Sequence, residues 1–87
     1  MVERSILIEN KTGLHARPAS NLVKAAKQFK SKIHIMKDDR AYEAKSMLAI
    51  LSAGIVKGTR IRLVCEGEDE ADALKNLTEL IASNKEE

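Results

Sequence analysis

The feature that most limits what this chain can fold into is a change of hydrophobic period, repeated along its length, between short strand-like stretches and longer stretches with a helical stripe. Residues 2 to 8 end in Ile6-Leu7-Ile8, an apolar run too short for a helix and closed by the polar segment Glu9 to Gly13, which predicts a strand followed by a loop. From about Ala16 to Phe29, Ala19, Leu22, Ala26 and Phe29 recur at helical spacing, while Lys24, Lys27 and Gln28 fall mostly outside that stripe. Residues 32 to 37 alternate around Ile33 and Ile35. After Asp38-Asp39, residues 40 to 44 alternate through Tyr42 and Ala44, so the pair reads as a hairpin. Ser46 precedes Met47-Leu48-Ala49-Ile50-Leu51 and Gly54 follows, the N-cap and C′ glycine of a short helix. Gly58-Thr59 marks a turn before a fourth strand in which Ile61, Leu63 and Cys65 alternate with Arg62 and Val64. Gly67-Glu68-Asp69-Glu70 opens a last helix, with acidic residues at the positive end of its dipole and Leu74, Leu77 and Ile81 as its stripe. The tail Asn84-Lys85-Glu86-Glu87 is expected to fray.

Strand, helix, strand, strand, helix, strand, helix is the order of an α+β chain. The predicted fold is an open-faced two-layer β-sandwich: a four-stranded antiparallel sheet with three helices on one face (βαββαβα) and the other face left to water. At 87 residues the chain has room for one domain, residues 1–87, and one core. Phe29 and Tyr42 are the only aromatic residues, so that core must be built from Ile, Leu, Val, Ala and Met. The same scarcity removes the stacking platforms of single-strand nucleic-acid binders. A net charge of +2 from 15 basic and 13 acidic residues argues against a general polyanion binder, so no direct nucleic-acid partner is expected. Cys65 is the sole cysteine. It permits no internal disulfide, and its place in an alternating run predicts a buried, inert thiol in a reducing compartment. Met1 to Ser5 lacks the layout of a signal peptide, and no apolar run reaches membrane length. The expectation is a cytoplasmic monomer with no membrane insertion.

Within this frame one segment carries chemistry: Thr12-Gly13-Leu14-His15-Ala16-Arg17-Pro18-Ala19-Ser20. It is predicted to place His15 in the first turn of a helix, where backbone N–H groups lack partners and the macrodipole is positive. Pro18 is tolerated in a first turn and no deeper. Gly13 is read as the flexible point that brings backbone to a ligand. Imidazole is a nucleophile at neutral pH, and the planar fork of Arg17 can grip phosphate oxygens. A lone histidine is more often an ordinary surface or capping residue, and His34, alternating with Ile33 and Ile35, is read that way, as a solvated group on the opposite sheet face. The two histidines and one cysteine lack ligand spacing, so no metal and no cofactor are expected. A self-contained enzyme is also hard to build, since there is no nucleotide-binding glycine loop and no acid–base dyad beside His15. A histidine that accepts a phosphoryl group and gives it to larger partners needs neither.

Lys24 and Lys27 extend a basic patch from Arg17, although lysines on a helix face are usually just solvated. A five-residue helix cannot bury all of Met47, Leu48, Ile50 and Leu51, so some of these remain to dock a partner, with Ile50 the best candidate for the core. Ser46 is first a cap. A phosphate on it would add about two negative charges at a helix start beside those docking residues. The alternative reading is a regulatory binding module governed by Ser46, with no phosphate flow through His15.

Thr12-Gly13-Leu14-His15-Ala16-Arg17-Pro18-Ala19 and Lys45-Ser46-Met47-Leu48, with Gly54-Ile55 and Lys57-Gly58 following, resemble the HPr family, the histidine-containing phosphocarriers of the bacterial sugar phosphotransferase system. The resemblance spans essentially all 87 residues. It implies that His15 receives phosphate on Nδ1 from phospho-enzyme I, whose donor is phosphoenolpyruvate, and passes it to sugar-specific enzyme IIA. Arg17 then matches the family's phosphate-stabilising arginine. Ser20, Lys24, Lys27, Met47, Leu48 and Leu51 are the residues expected to bind these partners. Ser46 matches the serine that an ATP-dependent kinase/phosphorylase modifies in Gram-positive-type bacteria, where the seryl-phosphorylated form is a corepressor for a catabolite-control transcription factor. Regulatory paralogues without carrier activity replace the histidine, which this chain keeps.

Overall fold

Strands β1 (Val2–Leu7), β2 (Lys32–Lys37), β3 (Arg40–Glu43) and β4 (Arg60–Glu66) form one sheet in the order β1-β4-β2-β3, every neighbouring pair antiparallel. Helices α1 (Arg17–Ala26), α2 (Met47–Ser52) and α3 (Glu70–Ser83) cover one face, which is the open-faced sandwich predicted. The computed structural model describes residues 1–83, so the expected fraying of Asn84 to Glu87 lies outside the described residues. Because β4 lies between β1 and β2, and β2 between β4 and β3, the chain makes two interleaved crossovers, one through α1 and one through α2.

The period-2 reading of the strands holds in the packing. Ile61, Leu63 and Cys65 of β4 and Ile33 and Ile35 of β2 are buried under the helices, with Arg60, Arg62 and Glu66 on the open face. Each fully buried Ile or Leu contributes about 1.5–3 kcal/mol. From above, Ala19, Leu22, Val23 and Ala26 of α1, Ile50 of α2 and Ala73, Leu77 and Ile81 of α3 close the core. Register brings one surprise. Arg4 opposes Leu63 and therefore lies on the helix side of β1, along a groove of about 280 Å³ between that strand and α3.

Boundaries depart from the predicted ones where tertiary bonds take over. β1 stops at Leu7, but Ile8 stays fully buried, donating its N–H to the Thr59 carbonyl (2.9 Å) and accepting from the Gly58 N–H (2.8 Å). α1 ends at Ala26 instead of Phe29, because Gln28 and Phe29 donate to Ala25 and Ala26, three residues back, and tighten the last turn. That turn still packs Phe29 against the core. The β2–β3 hairpin turns on Asp38, held at φ 56°, with Lys37 and Arg40 paired across it. Among the described residues no helix is long and apolar enough to cross a membrane.

Candidate functional site

The segment carrying His15 is tied down residue by residue until His15 itself. Asn10, almost fully buried, accepts the Gly13 N–H on its own carbonyl (3.0 Å) and donates its side-chain Nδ2 to the Gly13 carbonyl. Leu14 donates its N–H to the Ile55 carbonyl (3.0 Å) and buries its side chain. Thr59 fixes the opposing loop, its Oγ1 accepting from the Val56 N–H (3.2 Å) and its own N–H reaching the Val56 carbonyl (3.0 Å). His15, next in line, is exposed. Gly13 has a role other than the one predicted. At φ 65° a Cβ there would meet the Ile55 carbonyl oxygen at 2.2 Å and Val56 Cα at 2.6 Å, so the glycine permits loop-on-loop contact.

His15 also lies outside the helix, not in its first turn: it comes one residue before the N-cap, Ala16. Ala16 holds φ 53° and ψ −120°, a sparsely populated region for a residue with a Cβ, at a cost of about 1–3 kcal/mol. Its methyl group accepts no hydrogen bond, and α1 has no side-chain cap. Arg17 opens the helix, Pro18 occupies the first turn as expected, and that turn contains no acidic residue. An exposed imidazole therefore stands ahead of an uncapped, positively polarised helix end. Such an end attracts an anion.

Along α1, Arg17, Ser20, Lys24 and Lys27 recur at helical spacing on the outward side; Ser20 is half-buried and the other three are exposed. α2 packs beside α1. It starts with an ordinary cap: Ser46, extended at φ −113°, accepts the Ala49 N–H on Oγ (3.1 Å), as predicted. Gly54, at φ 64°, follows the C-cap Ala53, and Lys37 reaches across from β2 to donate Nζ to the Ala53 carbonyl (2.8 Å). Of the predicted docking residues Leu48 is 78% and Leu51 37% exposed, while Met47 is partly buried against the core and Ile50 is wholly inside. Val56, 61% exposed beside Gly13, adds an apolar surface that the sequence reading missed. The signal was available in an apolar pair between Gly54 and Gly58.

Other titratable groups serve the scaffold. His34 faces the open side of the sheet opposite Glu43, 3.8 Å from its carboxylate and away from His15. Burial, with the Glu70 and Asp69 charges behind it, pushes the Cys65 thiol above its usual range. At the far end of α1, Asp69 accepts the Ser31 hydroxyl and the Lys30 (2.8 Å) and Ser31 (2.9 Å) N–H groups. The Ser31 hydroxyl first and the Lys30 N–H next hold the Asp69 carboxyl below the usual range. Sequence reasoning assigned Asp69 only to the helix dipole, because its partners lie 38 and 39 residues away. Among the described residues no group of three or more His, Cys, Asp and Glu is placed to hold a metal ion.

A family model described as the PTS HPr component phosphorylation site matches residues 2–83. The phosphocarrier protein HPr of Neisseria meningitidis serogroup A is 42% identical over 81 residues, covering 93% of this chain and 91% of that one. The HPr-like protein Crh of Halalkalibacterium halodurans is also 42% identical over 81 residues, with coverage of 93% and 96%. Among solved structures, HPr-C-His from Thermoanaerobacter tengcongensis superposes with a TM-score of 0.94 at 46% identity, covering 98% of this chain and 96% of that one. With sequence, topology and structural neighbours in agreement over nearly the whole chain, it belongs to the HPr family of the phosphotransferase system, whose members carry phosphoryl groups between partners and are not self-contained catalysts.

Proposed function

We propose that His15 is the group that carries the phosphate, accepting it from phospho-enzyme I and handing it to sugar-specific enzyme IIA. The observation that supports this most is the exposed imidazole one residue ahead of a helix start with no capping side chain and no acidic first turn. In the forward step the imidazole lone pair on Nδ1, the atom that the family resemblance implies, forms the new P–N bond as the bond to the donor breaks. Onward transfer reverses that exchange on enzyme IIA. Arg17 and the first-turn amides hold the phosphate oxygens. Open access suits a carrier, which must present one atom to two different proteins.

Leu48, Leu51 and the exposed edge of Met47 form the apolar centre of the docking surface, with Arg17, Ser20, Lys24 and Lys27 as its polar and basic border. Basic border charge speeds encounter with acidic partners, and a modest apolar centre permits release. A phosphate on Ser46 reverses the charge beside that surface and keeps acceptor oxygens for the Ala49 N–H, so the cap and a regulatory role are compatible. An ATP-dependent serine kinase/phosphorylase and a catabolite-control transcription factor are the partners of that second state. In this reading the carrier works in the cytoplasm as a monomer. Equal likeness to HPr and to Crh does not separate carrier from regulator; the retained His15 favours the carrier.

Incubation with phosphoenolpyruvate and enzyme I is expected to give an acid-labile, base-stable phosphate on the wild-type chain and none on His15→Ala. The same label on His15→Ala would overturn the assignment.

A further inference from the structure

We infer that Asn10 is a positioning residue for phosphoryl transfer, holding the peptide one residue ahead of His15 in the orientation that aims the imidazole. This rests on His15 being the phosphoryl acceptor. The Gly13–Leu14 peptide is held at both ends: Asn10 Nδ2 donates to its carbonyl, and its N–H donates to the Ile55 carbonyl (3.0 Å). Asn10 also takes the Gly13 N–H on its own carbonyl (3.0 Å), so one residue grips Gly13 front and back. Glycine needs that grip more than other residues, because Gly13 at φ 65° has no Cβ to bar neighbouring conformations. Leu14 is anchored in the core, so the direction in which the chain leaves it sets where the His15 side chain starts.

A second observation separates this role from plain stabilisation. Asn10 is 1% exposed, yet its Oδ1 is buried with no hydrogen-bond partner. A buried acceptor left unpaired is unfavourable, so an asparagine here is a costly way to fill space under a loop. Its amide N–H is the part that is used. That amide N–H grips the Gly13 carbonyl from position 10 while the Asn10 backbone takes the Gly13 N–H. Orientation at the nucleophile is worth large rate factors, since small displacements of a reacting group slow transfer steeply.

The test is steady-state and single-turnover charging by phospho-enzyme I for wild type, Asn10→Ala, Asn10→Asp and Ser31→Ala. Asn10→Asp keeps the shape and loses the donor; Ser31→Ala weakens the fold at the opposite end of α1 and serves as the stability control. For both Asn10 variants the turnover number is expected to fall roughly tenfold with KM for the chain unchanged, because the docking surface is intact while the nucleophile is misaimed. Ser31→Ala, assayed well below its melting temperature, should charge like wild type. A wild-type turnover number for Asn10→Asp would overturn the inference even if Asn10→Ala fails to fold. An equal loss in Ser31→Ala would also overturn it, by making the effect one of stability alone. His15→Ala in the same assay keeps the two readings apart: phosphate acceptance by that variant removes the carrier assignment and this inference with it, whereas wild-type rates in the Asn10 variants remove only this inference.

Discussion

Two helices in this molecule begin within one small surface, and they begin in opposite ways. α2 starts on Ser46 in relaxed extended geometry, with Oγ closing onto the Ala49 N–H. α1 starts on Ala16 in a left-handed, sparsely populated conformation with no side chain to close anything. One start closes a first-turn amide with its own capping hydroxyl, and the other has no capping side chain. Strain and a missing cap coincide at the single turn that follows His15, the place where the proposed function needs them.

The contrast depends first on Gly13, which lets the His15 loop rest on Ile55 and Val56. Gly13→Ala is expected to cost about 3 kcal/mol in urea unfolding, combining the left-handed φ with overpacking against the Ile55 carbonyl. A loss below 1 kcal/mol would mean the two loops are not locked together. Next in size, Ser46→Ala should cost about 1 kcal/mol by loss of the cap, and Ser46→Asp almost none, since aspartate caps equally well. Ser46→Asp should nonetheless slow charging by enzyme I, with the difference shrinking as salt rises. Were both substitutions neutral to stability, α2 would not owe its start to Ser46.

At α1 the sign reverses. Ala16→Gly removes a strained Cβ and should stabilise the chain by about 0.5 kcal/mol once the larger freedom of glycine in the unfolded state is subtracted. Destabilisation in a urea melt would show that Ala16 carries no strain. The smallest effect belongs to the start of α3. The Asp69 carboxyl is lowered first by the Ser31 hydroxyl and then by the Lys30 N–H, and the Glu70 carboxyl first by the Gly67 N–H and then by the chain N-terminus. A carboxyl lowered in the folded state adds stability above its unfolded value, and that stability is lost as pH falls through the lowered one. Unfolding below the ordinary carboxylate range near pH 4 should therefore be steeper in wild type than in Asp69→Asn. Identical acid limbs would exclude Asp69 from the linkage.

What could be read in the sequence was whatever repeats locally. Ile61, Leu63 and Cys65 declared β4 by alternation, Ser46 and Gly54 bracketed α2, and the grouping of Gly13, His15, Arg17 and Pro18 pointed to a helix start. What could not be read was set by distant partners. Asn10 looked like one polar loop residue among four, because the segment around it is tied to a loop some 45 residues later, Ile8 bonding Gly58 and Thr59 and Leu14 bonding Ile55. His15 was misplaced by a turn's edge because Ala16, a good helix former by propensity, is held out of helical geometry by the loop before it. Arg4 was hidden for a related reason: strand register, not polarity, puts it on the helix side.

The central claim is that the start of α1, which has no capping side chain, receives the phosphate proposed for His15. The most direct measurement is a pair of amide ¹H–¹⁵N spectra before and after charging with phosphoenolpyruvate and enzyme I. The Arg17 and Ala19 amides, the first-turn N–H groups on either side of Pro18, should move strongly downfield while those of Met47 to Ala49 stay in place. A charged protein whose Arg17 and Ala19 amides do not move would contradict the account.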